Sequence, residues 1–238
     1  MPFSRTQLLL GKEAMQRLAD SRVAVFGVGG VGGYAVEVLA RSGVGSITLI
    51  DADRVDTTNI NRQIIALHST IGQLKVDVAE ARILDINPLC KVSKHALFYL
   101  PENADNIPLD GFNYVVDCID TISAKLELIR RCHELGVPLI SSMGAANKMN
   151  PMAFRVTDIS QTQNDPLAKV IRKKLRKINI DHLLVVCSDE PPLSPAEGET
   201  PPQSNSHRPV PASNAFVPAA AGLLIGSEVV KRLINSDV

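Results

Sequence analysis

The chain has 238 residues, 45% of them hydrophobic, which is enough for one sizeable core with a small appendage. Basic and acidic residues number 25 each, so the molecule has no bulk charge to attract nucleic acid, and any such contact must come from a local patch. The four cysteines, at 90, 118, 132 and 187, show no CxxC spacing and no secretory signal precedes them; they read as reduced cytoplasmic thiols, and the apolar run at 219–225, broken by Gly222, is too short to span a bilayer.

Leu8, Leu9, Leu10, Met15 and Leu18 predict a short N-terminal arm followed by a helix within residues 3–19. RVAVF at 22–26 is a continuous apolar run, as a parallel strand buried on both faces requires. A glycine turn at 27–33 leads into a helix running to about residue 42, with Gly43 as its C-terminal cap. SITLI at 46–50 is the second strand. A helix is expected over 72–86, ending before Asn87-Pro88, then a strand over 91–98. YVVDCI at 114–119 is another buried strand; a helix over 123–135, closed by Gly136, and a strand over 137–141 follow. This alternation predicts an α/β fold, a Rossmann-like doubly wound and mostly parallel sheet with right-handed crossovers. Further on, a strand at 152–157, a helix at 165–178, a strand at 183–187 and a last helix at 216–235 form a C-terminal α/β extension. Residues 188–213, rich in Pro, Ser and Glu, read as a mobile loop. Residues 1–150 are thus expected to form the nucleotide-binding core with its N-terminal arm, and 151–238 the part that contacts substrate.

The chemistry is concentrated after the first strand. Gly27, Gly29, Gly30 and Gly32 let the backbone approach a phosphate at a helix N-terminus, where free N–H groups and the helix dipole favour an anion. Asp51, nineteen residues after Gly32 at the end of the second strand, stands where an acid meets a ribose hydroxyl. These features alone would suit a nicotinamide-dependent dehydrogenase. Asn59, Asn61, Arg62 and Lys75 then follow within one crossover. A nicotinamide site has no use for them, whereas a transferred adenylyl group and its leaving pyrophosphate spread negative charge over many oxygens. Asp117 and Asp120 end a strand on the same edge; Asp120 is placed to hold Mg²⁺ on a triphosphate, unless it or Thr121 caps the next helix instead.

The pattern GVGGVG at 27–32, DADRVDTTNINRQ at 51–63, Lys75 and Asp120 resembles the E1-like family of ATP-dependent adenylating enzymes, which includes ubiquitin-activating, molybdopterin-pathway and thiazole-pathway members. The resemblance implies that Gly30 lies against the nucleotide, Asp51 holds the ribose, Asn61, Arg62 and Lys75 contact phosphates, and Asp120 is the metal-linked acid. It adds Asp53, Asn59, Gln63 and Thr121 to the nucleotide-binding candidates. FSRTQLLLG at 3–11 resembles the family's opening motif, in which an arginine, here Arg5, reaches the ATP of the partner subunit of a homodimer. The paired CxxC zinc motifs of the sulfur-carrier activators are lacking. DPLAKVIRKKLRK at 165–177, VVCSDEPP at 185–192 and NAFVPAAAGLLIGSEVVKRL at 214–233 instead resemble the branch that dehydrates threonylcarbamoyladenosine in tRNA.

The resemblance implies a ligase-type enzyme that adenylates the threonyl carboxylate with ATP and Mg²⁺ and cyclises it. That carboxylate is already ionised at neutral pH and needs no base to attack the α-phosphate. No cysteine intermediate is required; Cys187 stands beside Asp189 and Glu190, which would raise a thiol pKa, and reads as structural. Lys169, Arg172, Lys173, Lys174, Arg176 and Lys177 give the helix at 165–178 a cationic face suited to tRNA phosphates or simply to solvent. Adenylation of a ubiquitin-like sulfur carrier, nicotinamide chemistry and a non-catalytic scaffold are the rival readings, and contact with a cysteine desulfurase or sulfur acceptor is left open.

Overall fold

The computed structural model describes residues 2–194, 196 and 211–235. Seven strands form one sheet: β1 (Arg22–Phe26), β2 (Ser46–Ile50), β3 (Lys91–His95), β4 (Tyr114–Asp117), β5 (Leu139–Ser142), β6 (Phe154–Asp158) and β7 (Leu184–Ser188). Their spatial order is β3-β2-β1-β4-β5-β7-β6; every pairing is parallel except that of β6 with β7. The chain builds outward from β1 through β2 to β3, then returns to lay β4 on the other side. That reversal opens a crevice at the carboxyl ends of β1 and β4.

The apolar runs of β1 and β4 are buried on both faces. Val23 and Val25 pack with helices α3 (Gly32–Arg41), α4 (Lys75–Ile86) and α7 (Val217–Ile234), while Ala24 and Phe26 pack on the opposite face with α5 (Ile122–Leu135). A third cluster joins β7 to α6 (Pro166–Leu175) through Val185, Cys187, Ile171 and Leu175. The doubly wound, mostly parallel sheet therefore holds as expected, and the C-terminal extension continues the same sheet. Among the described residues no helix is long and apolar enough to cross a membrane.

Some boundaries differ from expectation, each for a local reason. The N-terminal arm is itself helical: α1 (Ser4–Leu10) precedes α2 (Lys12–Asp20), buries no residue and leaves Leu8 and Leu9 88% and 83% exposed. Helix α4 starts at Lys75, three residues late, because Leu74 forms an antiparallel bridge with Arg54 and Gly72 takes a positive φ of 81°. Gly136 does end α5 in the left-handed conformation, and Gly43 follows α3 at φ 88°. The expected loop at 188–213 begins inside ordered structure: Ser188 closes β7, and the Glu190 carboxylate accepts from the Met149 and Asn150 N–H groups. Residues 195 and 197–210 of that loop lie outside the described residues.

Two neighbouring strand ends are tied by a buried ion pair. The Lys125 ammonium, fully buried on α5, donates to Asp117 Oδ2 at the end of β4 (2.8 Å), to Ser141 Oγ on β5 (3.0 Å) and to the Ser142 carbonyl (3.0 Å). Ser141 Oγ donates to the same Asp117 oxygen at 2.7 Å, and Asp117 Oδ1 accepts from the Ile119 N–H at 3.1 Å. All three ammonium protons are used, so the charge is fully compensated. Removing one partner strands the other charge in the interior at a cost of about 3–5 kcal/mol. We therefore expect Lys125→Met to lower the unfolding free energy by about that amount in a denaturant titration. Replacing Lys125 and Asp117 together with apolar residues of similar volume should recover most of it.

Candidate active site

A cavity of about 790 Å³ opens above the carboxyl ends of the strands at the switch between β1 and β4. The turn after β1 forms its floor. Gly27 has φ 86°, and a Cβ there would lie 2.7 Å from the Cys118 carbonyl oxygen; a Cβ on Gly32 would lie 1.8 Å from the Gly27 carbonyl oxygen. Only glycine lets the start of α3 fold back this closely on the strand end, and that closeness sets the N-terminal end of α3 at the floor of the cavity.

Asp51, at the end of β2, anchors the turn. Its carboxylate accepts from the Val28 N–H at 2.7 Å and from the Asp53 N–H at 2.8 Å, which fixes its orientation beside the cavity. Burial raises its pKa above the usual aspartate value, opposed by the nearby Lys75 ammonium and the two backbone donors. Lys75, the first residue of α4, is buried and donates to Asp53 Oδ2 at 2.6 Å. The bridge between Arg54 and Leu74 brings these two together, so the late start of α4 is what aims Lys75 at the cavity. The stem of Arg62 runs beside Gly30; its guanidinium donates to the Thr58 carbonyl (2.8 Å) and to Asn61 Oδ1 (2.9 Å).

Gln63 is only 7% exposed in the cavity wall, and its Oε1 has no hydrogen-bond partner. Such an acceptor awaits a donor on a ligand. Asn59 also lines the cavity, while its Oδ1 accepts from the Asp56 N–H to close a short 3₁₀ turn, Thr57–Asn59. Asp120 is exposed within the cavity, and Thr121, the N-cap residue of α5, makes no side-chain capping bond.

The cavity brings together Gly27, Gly29, Gly30, Asp51, Asp53, Asn59, Arg62, Gln63, Lys75 and Asp120. Other expected residues lie outside its wall. Gly32 acts from beneath through backbone packing. Asn61 is not itself in the wall; its side chain donates to the carbonyl of Ser213, a lining residue, at 3.1 Å. Arg5 lies on α1, which packs through Phe3 near Gly43 at the amino edge of the sheet, away from this cavity. On α6, Lys169, Lys173 and Lys174 are exposed, as are Arg176 and Lys177 beyond it. Arg172 departs from that cationic face: its guanidinium turns inward to the Ile159 and Thr162 carbonyls and the Thr162 hydroxyl, so it pins the helix rather than presenting a charge.

Sequence reasoning missed several wall residues. Phe98 and Tyr99, with Phe26 and Ile50, give the cavity an apolar side, where Phe26 and Tyr99 meet edge to face at 4.9 Å. Residues Ser142 to Lys148 and the first turn of α6 form the opposite side. There Asp165 caps α6 by accepting from the Ala168 N–H (2.8 Å), and its other oxygen accepts from the Gly144 N–H (3.0 Å) and the Lys148 ammonium (3.2 Å). The Asp-Pro pair at 165–166 is a helix-start signal that marks this spot, but nothing local announces Lys148. The cysteines are free; burial pushes the thiols of Cys118, Cys132 and Cys187 up to about 12 and that of Cys90 to about 11.

Comparison with known proteins places the chain in a family. The family model described as the ThiF family matches residues 3–237. A tRNA threonylcarbamoyladenosine dehydratase of Bacillus subtilis is 49% identical over 240 residues, covering 98% of this chain and 94% of that protein. Crystal structures of the Escherichia coli tRNA N6-threonylcarbamoyladenosine dehydratase, in complex with AMP and with ATP, each superpose with a TM-score of 0.88 at 34% identity, covering 98% of this chain and 94% and 93% of those chains. The match runs through the glycine turn, the basic crossover and the last helix alike, and the chain belongs to the ThiF family.

Proposed function

We propose that this protein is an ATP-dependent tRNA threonylcarbamoyladenosine dehydratase, which adenylates the threonyl carboxylate of the modified adenosine and cyclises it. One observation carries the reading beyond ATP use. The cavity runs from the phosphate-binding turn to the first turn of α6, and the same helix turns Lys169, Lys173 and Lys174 to solvent. A nucleic acid held by those lysines lies next to the opening that its modified base must enter. The relatives with this fold over nearly their whole length carry the same activity in their names.

The chemistry follows from the residues. ATP lies with its phosphates on the turn 27–32, its ribose toward Asp51 and its base toward the apolar side at Phe98 and Tyr99. The substrate carboxylate attacks the α-phosphorus, and pyrophosphate leaves. Arg62 and Lys75 hold the charge that develops on the phosphate oxygens. The carbamoyl oxygen then attacks the acyl carbon, the carbon–oxygen bond to AMP breaks, and the adjacent nitrogen gives its proton to solvent. The substrate has lost one water, whose oxygen leaves in AMP. The second step is intramolecular, so held geometry supplies much of its rate.

Asp120 would hold Mg²⁺, which would supply positive charge against the phosphates when bound. The donor chemistry fits: a single exposed carboxylate in a cavity floored by a glycine turn suits a cation that keeps most of its waters. Asn61 would meet phosphates only by leaving Ser213. We further read residues 1–150 as the nucleotide-binding part and 151–238 as the substrate-contacting part, in a cytoplasmic enzyme working where ATP and tRNA are both present. A homodimer would use the exposed Leu8 and Leu9 of α1 and carry Arg5 into the partner's cavity; a cysteine desulfurase or sulfur acceptor is a candidate second partner.

Incubation with ATP, Mg²⁺ and tRNA bearing threonylcarbamoyladenosine, followed by mass spectrometry of the nucleosides, tests the reading directly. We expect a nucleoside lighter by one water together with AMP and pyrophosphate. AMP and pyrophosphate formed only with a carrier protein ending in Gly-Gly would move the substrate. Arg62→Ala and Lys75→Ala should each raise the adenylation barrier by about 3–4 kcal/mol, measured as pyrophosphate exchange; near-normal exchange in both would remove these residues from the phosphate site. Reversing the charges of Lys173 and Lys174 should weaken tRNA binding and shallow its dependence on salt, by about one unit of slope for each phosphate no longer neutralised. An unchanged slope would leave that face to solvent.

A further inference from the structure

Two limbs of chain meet beside the cavity, and among the described residues Asn147 bonds to both. Residues 191–194 follow β7 and residues 211–214 precede α7; Pro192, Pro211 and Ser213 line the cavity. Asn147 lies between these limbs. Its N–H donates to the Ala212 carbonyl (2.8 Å), its carbonyl accepts from the Leu193 N–H (2.7 Å), and its Oδ1 accepts from the Ala212 N–H (2.8 Å). It therefore grips the outgoing limb once and the returning limb twice.

Two more asparagines hold the returning limb. Asn61, beside Arg62, donates to the Ser213 carbonyl at 3.1 Å, and Asn214 donates to the Lys148 carbonyl at 2.8 Å. The wall under Asn147 is itself rigid, since Asp165 holds Gly144 on one side of it and Lys148 on the other. Asn147 has φ 57°, a left-handed conformation that asparagine tolerates better than most side chains and that brings its backbone and side-chain groups to the same limb.

We propose that Asn147 is a positioning residue that keeps water from the acyl-adenylate. This rests on the dehydratase reading above. The activated intermediate can go two ways. In the productive one the carbamoyl oxygen attacks the acyl carbon and AMP leaves. In the wasteful one the oxygen of water attacks that carbon, AMP leaves, a proton goes to solvent and the starting carboxylate is restored, so that ATP and water become AMP and pyrophosphate with no product. Limbs held together at the cavity wall by Asn147 exclude that water and leave the internal oxygen as the nucleophile.

The test counts AMP released per dehydrated nucleoside formed. Asn147→Gly keeps the left-handed backbone and both of its main-chain bonds but loses the side-chain acceptor for Ala212. Asn147→Asp keeps that acceptor. We expect the ratio to be near one for the native protein, to rise several-fold for Asn147→Gly and to return toward one for Asn147→Asp. An unchanged ratio in Asn147→Gly overturns the proposal, as does an Asn147→Asp protein that wastes as much ATP as the glycine variant. Failure of the native protein to form any dehydrated nucleoside would instead overturn the dehydratase reading, so the two failures are distinct.

Discussion

The cavity depends on one buried ion pair. Lys125 reaches from α5 under the sheet edge to Asp117 and, through Ser141 and the Ser142 carbonyl, to β5. This sets where β4 hands over to residues 118–120 and where β5 hands over to the wall at 143–148. The glycine turn leans on the first of these handovers, since Gly27 packs against the Cys118 carbonyl. Asp120, the apolar strand ends and the turn that would receive phosphates thus share a support, although none of them touches Lys125. A buried pair of this kind adds little net stability compared with a well-packed apolar pair; what it adds is a single permitted arrangement of two strand ends.

A second buried pair repeats the device on the other side. Asp165 and Lys148 are 4% and 3% exposed, and between them they bind the start of α6, the Gly144 N–H and, through Lys148, the Ser188 carbonyl at the end of β7. The two pairs divide the labour: one holds the side of the cavity at the glycine turn, the other joins its far wall to the helix with the cationic outer face. Placing the charges of α6 on exposed positions leaves them free for long-range attraction, while Arg172 uses its charge to hold the helix to residues 159–162.

The parts legible in the sequence were those written in local terms. The unbroken apolar runs of β1, β2 and β4 can be covered on both faces in only a few ways, and Gly136 marks a helix end by its own conformational freedom. The motif from Asp51 to Lys75 was readable because its residues are close in sequence. The illegible parts depend on distant partners. No local pattern says that residues 72–74 pair with residue 54 and delay α4, or that β6 runs antiparallel to β7, since five alternating residues carry no direction. Asn61 was read toward phosphate but grips Ser213, 152 positions away. Lys148 looks like any surface lysine until Asp165 and Ser188 close around it.

The cysteines carry a practical consequence. Cys90, Cys132 and Cys187 are buried, and burial raises the pKa of each thiol, whereas Cys118 is only partly buried and lines the cavity. The three buried thiols are shielded from maleimides and similar alkylating reagents while the chain is folded, and Cys118 is the one that a reagent entering the cavity would meet. With Cys118 replaced, a cysteine introduced at an exposed position on α1 or α6 would take up a fluorophore or spin label selectively. The fold then offers a clean background for following, in real time, how far apart those two helices stand as substrates arrive.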